Sequence, residues 1–287
     1  MDRLATLKKL ERIQELPTLP DIAMQVNRML EEAETTIEGL SEMIKKDQAI
    51  VSRLLKLVNS AFFGMRSRVN TLSEAVVMLG FNSVRNVVVS ISVIEAFSGK
   101  TGGFDVKNFW RHSIATAMTA KKLSETIHIG NPETCFLCGL LHDIGKIILY
   151  QYFKDQFLHI MDLIGQQHIS FSAAEKEADV LDHAYIGAYV AERWQLPRSL
   201  IDAIKYHHNL SGQASTDQDL LMIVHTADIL SNAFLSETKK RRYISELDVT
   251  AAGKMQPAIR SIQQWLPELA NEIDEACRFF MREEEEA

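Results

Sequence analysis

The sequence predicts an all-α protein. Apolar residues recur at intervals of three and four in nearly every segment, as they do on one face of a helix. Capping signals such as Thr71-x-x-Glu74 precede these segments, and Gly80 stands where the helix after that signal should end. Residues 84–96 are rich in β-branched side chains and also suit a strand, but their length and the cap at Asn82 favour a helix.

Successive helices are expected in the N-terminal part, each beginning at a side-chain cap. Residues 16–20 hold two prolines and form an extended lead-in, after which Asp21 is placed to cap the first of these helices. The spacing Thr35-x-x-Glu38 marks the start of a second helix, and Asp47 marks the start of a third. The apolar faces expected for the three are Ile22, Val26, Met29 and Leu30; Leu40, Met43 and Ile44; and Val51, Leu54, Leu55 and Val58.

Residues 98–103, which include three glycines, form the strongest helix breaker and mark the predicted boundary. We therefore expect an N-terminal helical subdomain at 1–103, a second helical subdomain at 104–235 and a C-terminal helical extension with an acidic tail at 236–287. The helices expected after the boundary are 109–123, a helix opened by Asn131-Pro132-Glu133 that contains His142-Asp143, 153–166, a helix capped at Ser172, 183–194, 197–208 and 217–234.

The composition is that of an ordinary globular protein and argues against several classes of function. The chain of 287 residues carries a net charge of −7, which gives no general attraction to nucleic acid or to an anionic membrane. It contains no apolar run of the roughly 18–20 residues that cross a bilayer, and its N-terminus lacks a signal-peptide core, so we expect a cytoplasmic protein. Three cysteines are too few for a disulfide framework, and Cys135 and Cys138 are expected to pack in the core.

The pair His142-Asp143 interrupts an apolar run, residues 135–149, and is the most informative feature of the chain. Burying such a pair costs free energy unless charge, hydrogen bonds or a metal compensates. Imidazole nitrogen and carboxylate oxygen suit divalent ions such as Fe, Mn, Zn or Ni, and one aspartate can bridge two of them. The candidate ligands beyond the boundary are His112, His142, Asp143, His183, His207, His208 and Asp228.

Each candidate has a structural alternative, because a single histidine on an apolar helix face is more often a packed core residue than a ligand. Spacing alone does not establish that the seven converge. Lys146, one turn after His142, is placed to bind a substrate phosphate or to be a solvated lysine. His225 is expected to pack, and His128, His159 and His168 are expected at the surface.

The order of these motifs resembles that of the HD superfamily of metal-dependent phosphohydrolases, with His142-Asp143 in Leu-Leu-His-Asp-Ile-Gly-Lys and Asp228 in Val-His-Thr-Ala-Asp. His183 and the pair at 207–208 resemble the two-metal branch, which includes the HD-GYP phosphodiesterases. The N-terminal part resembles the HDOD output domain of bacterial signalling proteins. The matching stretches there are 16–20, 47–55, 57–61 and 73–80.

This resemblance implies an HD-type helical bundle preceded by an N-terminal helical subdomain, with two divalent metal ions. It implies one ion held by His112, His142, Asp143 and Asp228, and a second held by Asp143, His183, His207 and His208. Asp143 and Lys146 are the residues implied at the reacting phosphate. The Asn-Leu-Ser-Gly-Gln run at 209–213 differs from a Gly-Tyr-Pro motif, so the resemblance does not extend to a cyclic-dinucleotide pocket.

Three functions remain open at this point. The first is a metal-dependent phosphohydrolase acting on a nucleotide or a related phosphoester. The second is a non-catalytic signalling or scaffold module that uses the metal site for shape or ligand binding, with a signalling protein or a small phosphorylated ligand as its partner. A third, nucleic-acid binding, rests on a basic patch that the overall negative charge opposes, namely Lys45, Lys46, Arg53, Lys56, Arg66 and Arg68.

Overall fold

The computed structural model describes residues 3–13, 19–29, 35–59, 67–99, 103–210, 215–235 and 246–281. All regular secondary structure in these ranges is helical, which confirms the predicted fold class. Several sequence predictions concern residues outside the described ranges: most of the extended lead-in, the stretch 60–61, Arg66, the centre of the glycine-rich breaker, residues 211–213 and the acidic tail.

The helices of the described ranges follow one another along the chain with short connections. In chain order they are α1 (Arg3–Arg12), α2 (Asp21–Met29), α3 (Ile37–Ile44), α4 (Gln48–Val58), α5 (Leu72–Leu79), α6 (Phe81–Phe97), α7 (Val106–Ile127), α8 (Pro132–Leu141), α9 (Ile144–Tyr152), α10 (Lys154–Gln167), α11 (Phe171–Glu177), α12 (His183–Arg193), α13 (Arg198–Tyr206), α14 (Gln218–Leu235), α15 (Val249–Arg260) and α16 (Ile262–Phe280).

Most predicted caps stand where expected. The side chain of Asp47 accepts hydrogen bonds at the start of α4, and that of Thr71 does so at the start of α5. Asn131 caps α8, with proline at the first helical position. The ambiguous stretch 84–96 lies within α6, because its side chains are buried on nearly all sides and the helix satisfies its backbone internally.

The helix predicted at 109–123 begins at Val106, and the caps predicted for three other helices are displaced. Thr36, rather than Thr35, caps α3, because its hydroxyl accepts from the amide of Gly39. Ser170, rather than Ser172, caps α11. At α6, Gly80 occupies the N-cap position, where the sequence suggested Asn82. These errors of one or two residues arise because adjacent small or polar residues offer equivalent caps.

The break between α8 and α9 is a more important correction. One continuous helix was expected to carry the His142-Asp143 pair, but α8 ends at Leu141 and α9 begins at Ile144. The pair therefore lies in the turn between two helices. There its side chains project from a bend in the backbone and not from a regular helix face.

Contacts group the described helices into two compact units. One unit comprises 1–16 and 101–263, and the other comprises 17–100 and 264–287. In the first unit, the amide of Gln156 donates to the hydroxyl of Thr6 over 2.7 Å, which ties α1 to α10. In the second, Arg53 of α4 pairs with Glu95 and donates to the carbonyl of Phe280 in α16 over 3.3 Å. The helix α1 therefore belongs to the first unit and α16 to the second.

Two glycines allow the close helix packing that surrounds the candidate site. In the first unit, α7 packs against α8 and α14, and α12 packs against α9 and α13. A Cβ added at Gly139 in α8 would lie 2.8 Å from the Cα of Ala117 in α7. A Cβ added at Gly145 in α9 would lie 1.9 Å from the backbone oxygen of His183. Glycine therefore sets the distance between the helices that carry the site.

Across the described ranges, no single helix combines the length and the apolar content needed to cross a bilayer. The helices α5 and α6 meet those criteria only as a pair bent by 118°.

Candidate metal centre

The seven predicted ligand residues converge in the first unit, although they come from five separate parts of the chain. His112 lies in α7, Asp228 in α14, and His183 is the first residue of α12. The turn between α8 and α9 and the end of α13 supply the rest: His142, Asp143, His207 and His208. All are buried except His208, whose side chain is 17% exposed.

One group of side chains that can hold a metal ion consists of His112, His142 and Asp228. Nε2 of His112 lies 3.1 Å from Oδ1 of Asp228, and Nε2 of His142 lies 3.6 Å from the same oxygen. The Oδ2 atom of Asp143 stands beside this group, 3.4 Å from each of the two Nε2 atoms.

A second group consists of Asp143, His183, His207 and His208. Oδ1 of Asp143 lies 3.1 Å from Nε2 of His183 and 3.8 Å from Nε2 of His207. Nε2 of His183 is in turn 3.4 Å from Nε2 of His207 and 3.2 Å from Nε2 of His208. The two oxygens of Asp143 therefore face different groups, which is the geometry of a carboxylate shared by two ions.

The hydrogen bonds of three imidazoles fix which nitrogen faces the centre. Nδ1 of His142 lies 2.7 Å from the carbonyl of Gly139, and Nδ1 of His207 lies 2.7 Å from the carbonyl of Ile204. Nδ1 of His183 lies 2.7 Å from a carboxylate oxygen of Glu175. Because carbonyls and carboxylates only accept, each Nδ1 carries a proton and donates.

In their neutral form these imidazoles direct Nε2 lone pairs at one another and at carboxylate oxygens. Among the described residues, Nε2 of His142 and Oδ1 of Asp143 have no hydrogen-bond partner. Lone pairs that face each other in a buried site repel unless a cation lies between them. Ligand atoms about 2.1 Å from one ion stand about 3.0–3.4 Å apart when they are neighbours in its coordination shell, which matches most of the distances above. The residues therefore fit a divalent ion in each group.

The charges of the protein itself also favour a bound cation at the centre. Burial lowers the pKa of His142, but the carboxylates of Asp143 and Asp228 outweigh it and raise that pKa to about 10. Burial likewise lowers the pKa of His183, and the Glu175 carboxylate raises it to about 9. Protons thus supply the positive charge that these carboxylates require, and a metal ion would displace them.

The pKa values of His207 and His208 shift in the opposite direction. Burial and the neighbouring imidazoles hold the pKa of His207 well below its usual range and lower that of His208 to about 3. For Asp143, burial opposes ionisation, but His142 and Lys146 outweigh it and hold the carboxyl pKa well below its usual range. The centre therefore offers ionised carboxylates together with two imidazoles that are neutral at pH 7.

Glu175 is a supporting residue that the sequence did not reveal. Its carboxylate is buried and accepts from both the amide and Nδ1 of His183. Asn232, one turn after Asp228, donates to Oδ1 of that aspartate over 2.8 Å. Such partners orient metal ligands, and the Glu175 carboxylate also raises the basicity of His183. In the sequence, only the position of Asn232, one helical turn after Asp228, could have indicated such a supporting residue.

The other histidines lie where they were expected. His225 is buried; its Nδ1 donates to the carbonyl of His207, and its Nε2 accepts from the amide of Asp248. It therefore supports the backbone beside the centre and does not face it. His128, His159 and His168 are exposed.

Lys146 connects the centre to a cavity. Its Nζ lies 2.6 Å from Oδ2 of Asp143 and 4.9 Å from the centre of the Phe171 ring. A cavity of about 590 Å³ opens against Lys146, Asp143, His112 and Asn232. The metal groups are therefore accessible to a small molecule from this side.

The predicted basic patch lies in the second unit. Lys45 pairs with Glu42 over 2.6 Å, and Arg53 pairs with Glu95. Lys56 and Arg68 line a separate cavity of about 700 Å³. Two members of the patch are therefore already neutralised by acidic side chains.

All three cysteines are buried thiols that take no part in a disulfide. Burial raises the pKa of the Cys135 thiol to about 12 and holds that of Cys138 well above its usual range. Both therefore behave as core residues, as predicted.

Comparison with known proteins places these features in context. Residues 16–210 match the HDOD domain family. An uncharacterised protein of Treponema pallidum (strain Nichols) is 28% identical over 229 residues, which are 79% of this chain and 44% of that protein. Ribonuclease Y of Mycoplasmoides gallisepticum is 28% identical over 110 residues, which are 38% of this chain and 16% of that enzyme. This chain therefore spans less than half the length of either relative.

Among solved structures, an HDOD domain protein of unknown function from Geobacter sulfurreducens superposes with a TM-score of 0.78. The superposition covers 95% of this chain and 98% of that one, at 21% sequence identity. At this identity the likeness is one of fold.

Proposed function

We propose that this chain, which belongs to the HDOD family, is a bacterial signal-output protein that holds two divalent metal ions and hydrolyses a phosphoester. One observation carries the proposal: Asp143 directs one oxygen to each of two groups of imidazoles, and one imidazole in each group, His142 or His183, donates from Nδ1 to an acceptor outside the ligand set. This arrangement leaves lone pairs pointing inward from two sides of one carboxylate.

Several residues of the chain would have separate roles in such a reaction. Bound ions would supply Lewis acidity toward a phosphoryl oxygen and toward water. Asp143 fixes the spacing of the two groups, and Glu175 holds His183 in one tautomer. Lys146, which faces the cavity, is positioned to donate to a phosphate oxygen and to balance the charge that develops on it. Burial of the centre strengthens each of these interactions relative to water.

The similarity to ribonuclease Y supports phosphoester chemistry for part of the chain. That enzyme is named for action on RNA, and the matched 110 residues are a small share of its length. RNA itself is not the substrate we favour, because the chain has a net charge of −7 and part of its basic patch is paired.

The alternative is a signalling module that binds metal and ligand without turnover. The HDOD family match favours this alternative, because the resemblance noted in the sequence is to HDOD output domains of signalling proteins. In this case the same centre would stabilise the helices it joins, and a signalling protein or a small phosphorylated ligand would be the partner.

Metal analysis and turnover assays distinguish the two functions. We expect two ions per purified chain, and we expect Asp143→Ala to lose both because it removes the shared ligand. His183→Ala should lose the second ion and keep the first. The matched control is His159→Ala, an exposed histidine outside the centre that should retain both ions.

Turnover is then measured on bis(4-nitrophenyl) phosphate and on a panel of nucleotides with the manganese-loaded protein. Lys146→Met should retain metal and lose activity by about 100-fold or more, as expected for removing a charge-stabilising donor. A metal-loaded protein that cleaves none of these compounds refutes the enzyme and leaves the signalling module. A metal-free wild-type protein refutes both uses of the centre.

A further inference from the structure

The cavity beside the centre has one polar end. This end is formed by His112, Asp143, Lys146 and Asn232, and the cavity volume of about 590 Å³ lies in the range of small-molecule sites. The polar end holds the only lysine among its described lining residues. An anionic group of a ligand would therefore be held at this end.

The wall that leads away from the polar end is aromatic. Phe171, under Nζ of Lys146, lies 6.0 Å from Phe157 between ring centres. Phe157 lies 5.3 Å from Tyr150 and 5.6 Å from Phe104, both at steep angles. These distances describe a continuous, mutually packed surface that begins at the lysine.

The aliphatic part of the lining belongs to α10, the helix that also carries Phe157. Leu158, Met161 and Ile164 line the cavity from successive positions on that helix. Leu158 is 48% exposed and Met161 is 45% exposed, so two large apolar side chains on one helix face are incompletely covered. Because they border the same cavity, a ligand that enters it would cover them.

The polar side chains near this wall are largely engaged with each other. Oδ1 of Asp105 accepts from the amide of Asn108, and its Oδ2 accepts from the side-chain amide of Asn108 over 2.5 Å. A sugar or nucleobase placed here would lose hydrogen bonds to water with few groups to replace them. The hydroxyl of Tyr150 is one remaining polar group on this wall. The wall thus favours an apolar ligand body.

We propose that the cavity binds phosphomonoesters or phosphonates whose body is an alkyl or aryl group. The anionic head lies at Lys146 and the metal groups, and the body lies against the aromatic wall and the exposed side chains of Leu158 and Met161. This inference rests on the proposed function for its head-group site and adds the ligand class. An apolar segment of a partner protein is the competing occupant, and a titration with phosphonates distinguishes the two.

The test is a homologous series of methyl-, butyl-, hexyl- and octylphosphonate, titrated calorimetrically into the manganese-loaded protein below micellar concentrations. Their carbon–phosphorus bonds resist hydrolysis, so binding is read without turnover. Each fully buried methylene should tighten binding by about fourfold, so even partial burial of the four added methylenes should give about tenfold or more from butyl to octyl. Adenosine 5′-monophosphate should bind more weakly than octylphosphonate.

Variants with uncharged polar side chains distinguish the contribution of the apolar wall to binding from that of the head-group site. Leu158→Gln and Met161→Gln should flatten the chain-length series by about tenfold at octyl and leave methylphosphonate binding unchanged. The matched control is Met78→Gln, at a residue that is 47% exposed in the second unit, and it should leave the whole series unchanged. Both substituted side chains are exposed, so folding should be preserved, and circular dichroism checks this.

Each outcome bears on a distinct idea. A flat series, or tighter binding of the nucleotide, overturns the proposed ligand class even if the protein hydrolyses phosphoesters. A steep series in a protein that hydrolyses nothing supports the ligand class and refutes the enzyme. A flat series together with capture of an apolar peptide at Met161 assigns the cavity to a protein partner.

Discussion

The close approach of α9 to α12 gives the sharpest prediction, because Gly145→Ala perturbs it without touching a ligand. The added Cβ would lie 1.9 Å from the backbone oxygen of His183 and 2.7 Å from the amide nitrogen of Gly187. Both are backbone atoms of α12, so no side-chain rotation can relieve the clash. The two helices must move apart.

The required displacement can be taken from the structure. Ordinary contact begins at 3.4 Å, so relief from 1.9 Å needs about 1.5 Å of separation. If His183 moves with α12, its distance of 3.1 Å to Oδ1 of Asp143 grows to about 4.6 Å. Two atoms bound to one ion at about 2.1 Å each cannot be more than about 4.2 Å apart. Gly145→Ala should therefore lose the second ion and keep the first.

The assay is metal stoichiometry together with denaturant unfolding. Overpacking should lower the free energy of unfolding by about 1–3 kcal/mol, partly offset by the better helix propensity of alanine. The control is Gly165→Ala in α10, where the added Cβ has nothing within 4 Å; it should keep both ions and gain about 0.5–1 kcal/mol. If Gly145→Ala retains two ions with wild-type affinity, the role of this contact is refuted.

Three further predictions follow from the surroundings of the centre. Glu175→Gln should weaken binding at the second group by about 10–100-fold, because the amide supports the His183 tautomer less well. The affinity of each group for metal should rise with pH by up to about tenfold per unit below pH 9, since His142 in the first group and His183 in the second, with pKa values of about 10 and about 9, must each lose one proton. Cys135 and Cys138 should resist alkylation in the folded protein, because burial raises their pKa values and excludes reagent.

Each of these has a clear measurement and a contrary result. For Glu175→Gln, equal loss at both groups would indicate general unfolding and not a local effect. For the pH dependence, binding enthalpies that do not vary with buffer ionisation would show that no protons are released. For the cysteines, mass spectrometry of the native protein at pH 8 should find no adduct, and rapid modification would contradict the packing. Exposed thiols in urea serve as the positive control.

Much of the fold follows from local rules. Hydrophobic spacing identifies helices because it reflects one buried face, and caps such as Asp47 and Asn131 mark their starts because side-chain oxygens satisfy free amides. The same local rules cannot choose between Thr35 and Thr36, or between Ser170 and Ser172. The choice depends on which hydroxyl the surrounding contacts place near the free amides.

The sequence by itself determined the chemistry that is available: imidazoles, two carboxylates and a lysine in a recognisable order. It could not determine that His112 and Asp228 meet across a helix pair, because that distance depends on packing between segments far apart in the chain. Tertiary structure also decided that His142-Asp143 lies in a turn, that Glu175 orients His183, and that an apolar cavity adjoins the centre. These features are set by how closely helices approach, and no local propensity encodes that distance.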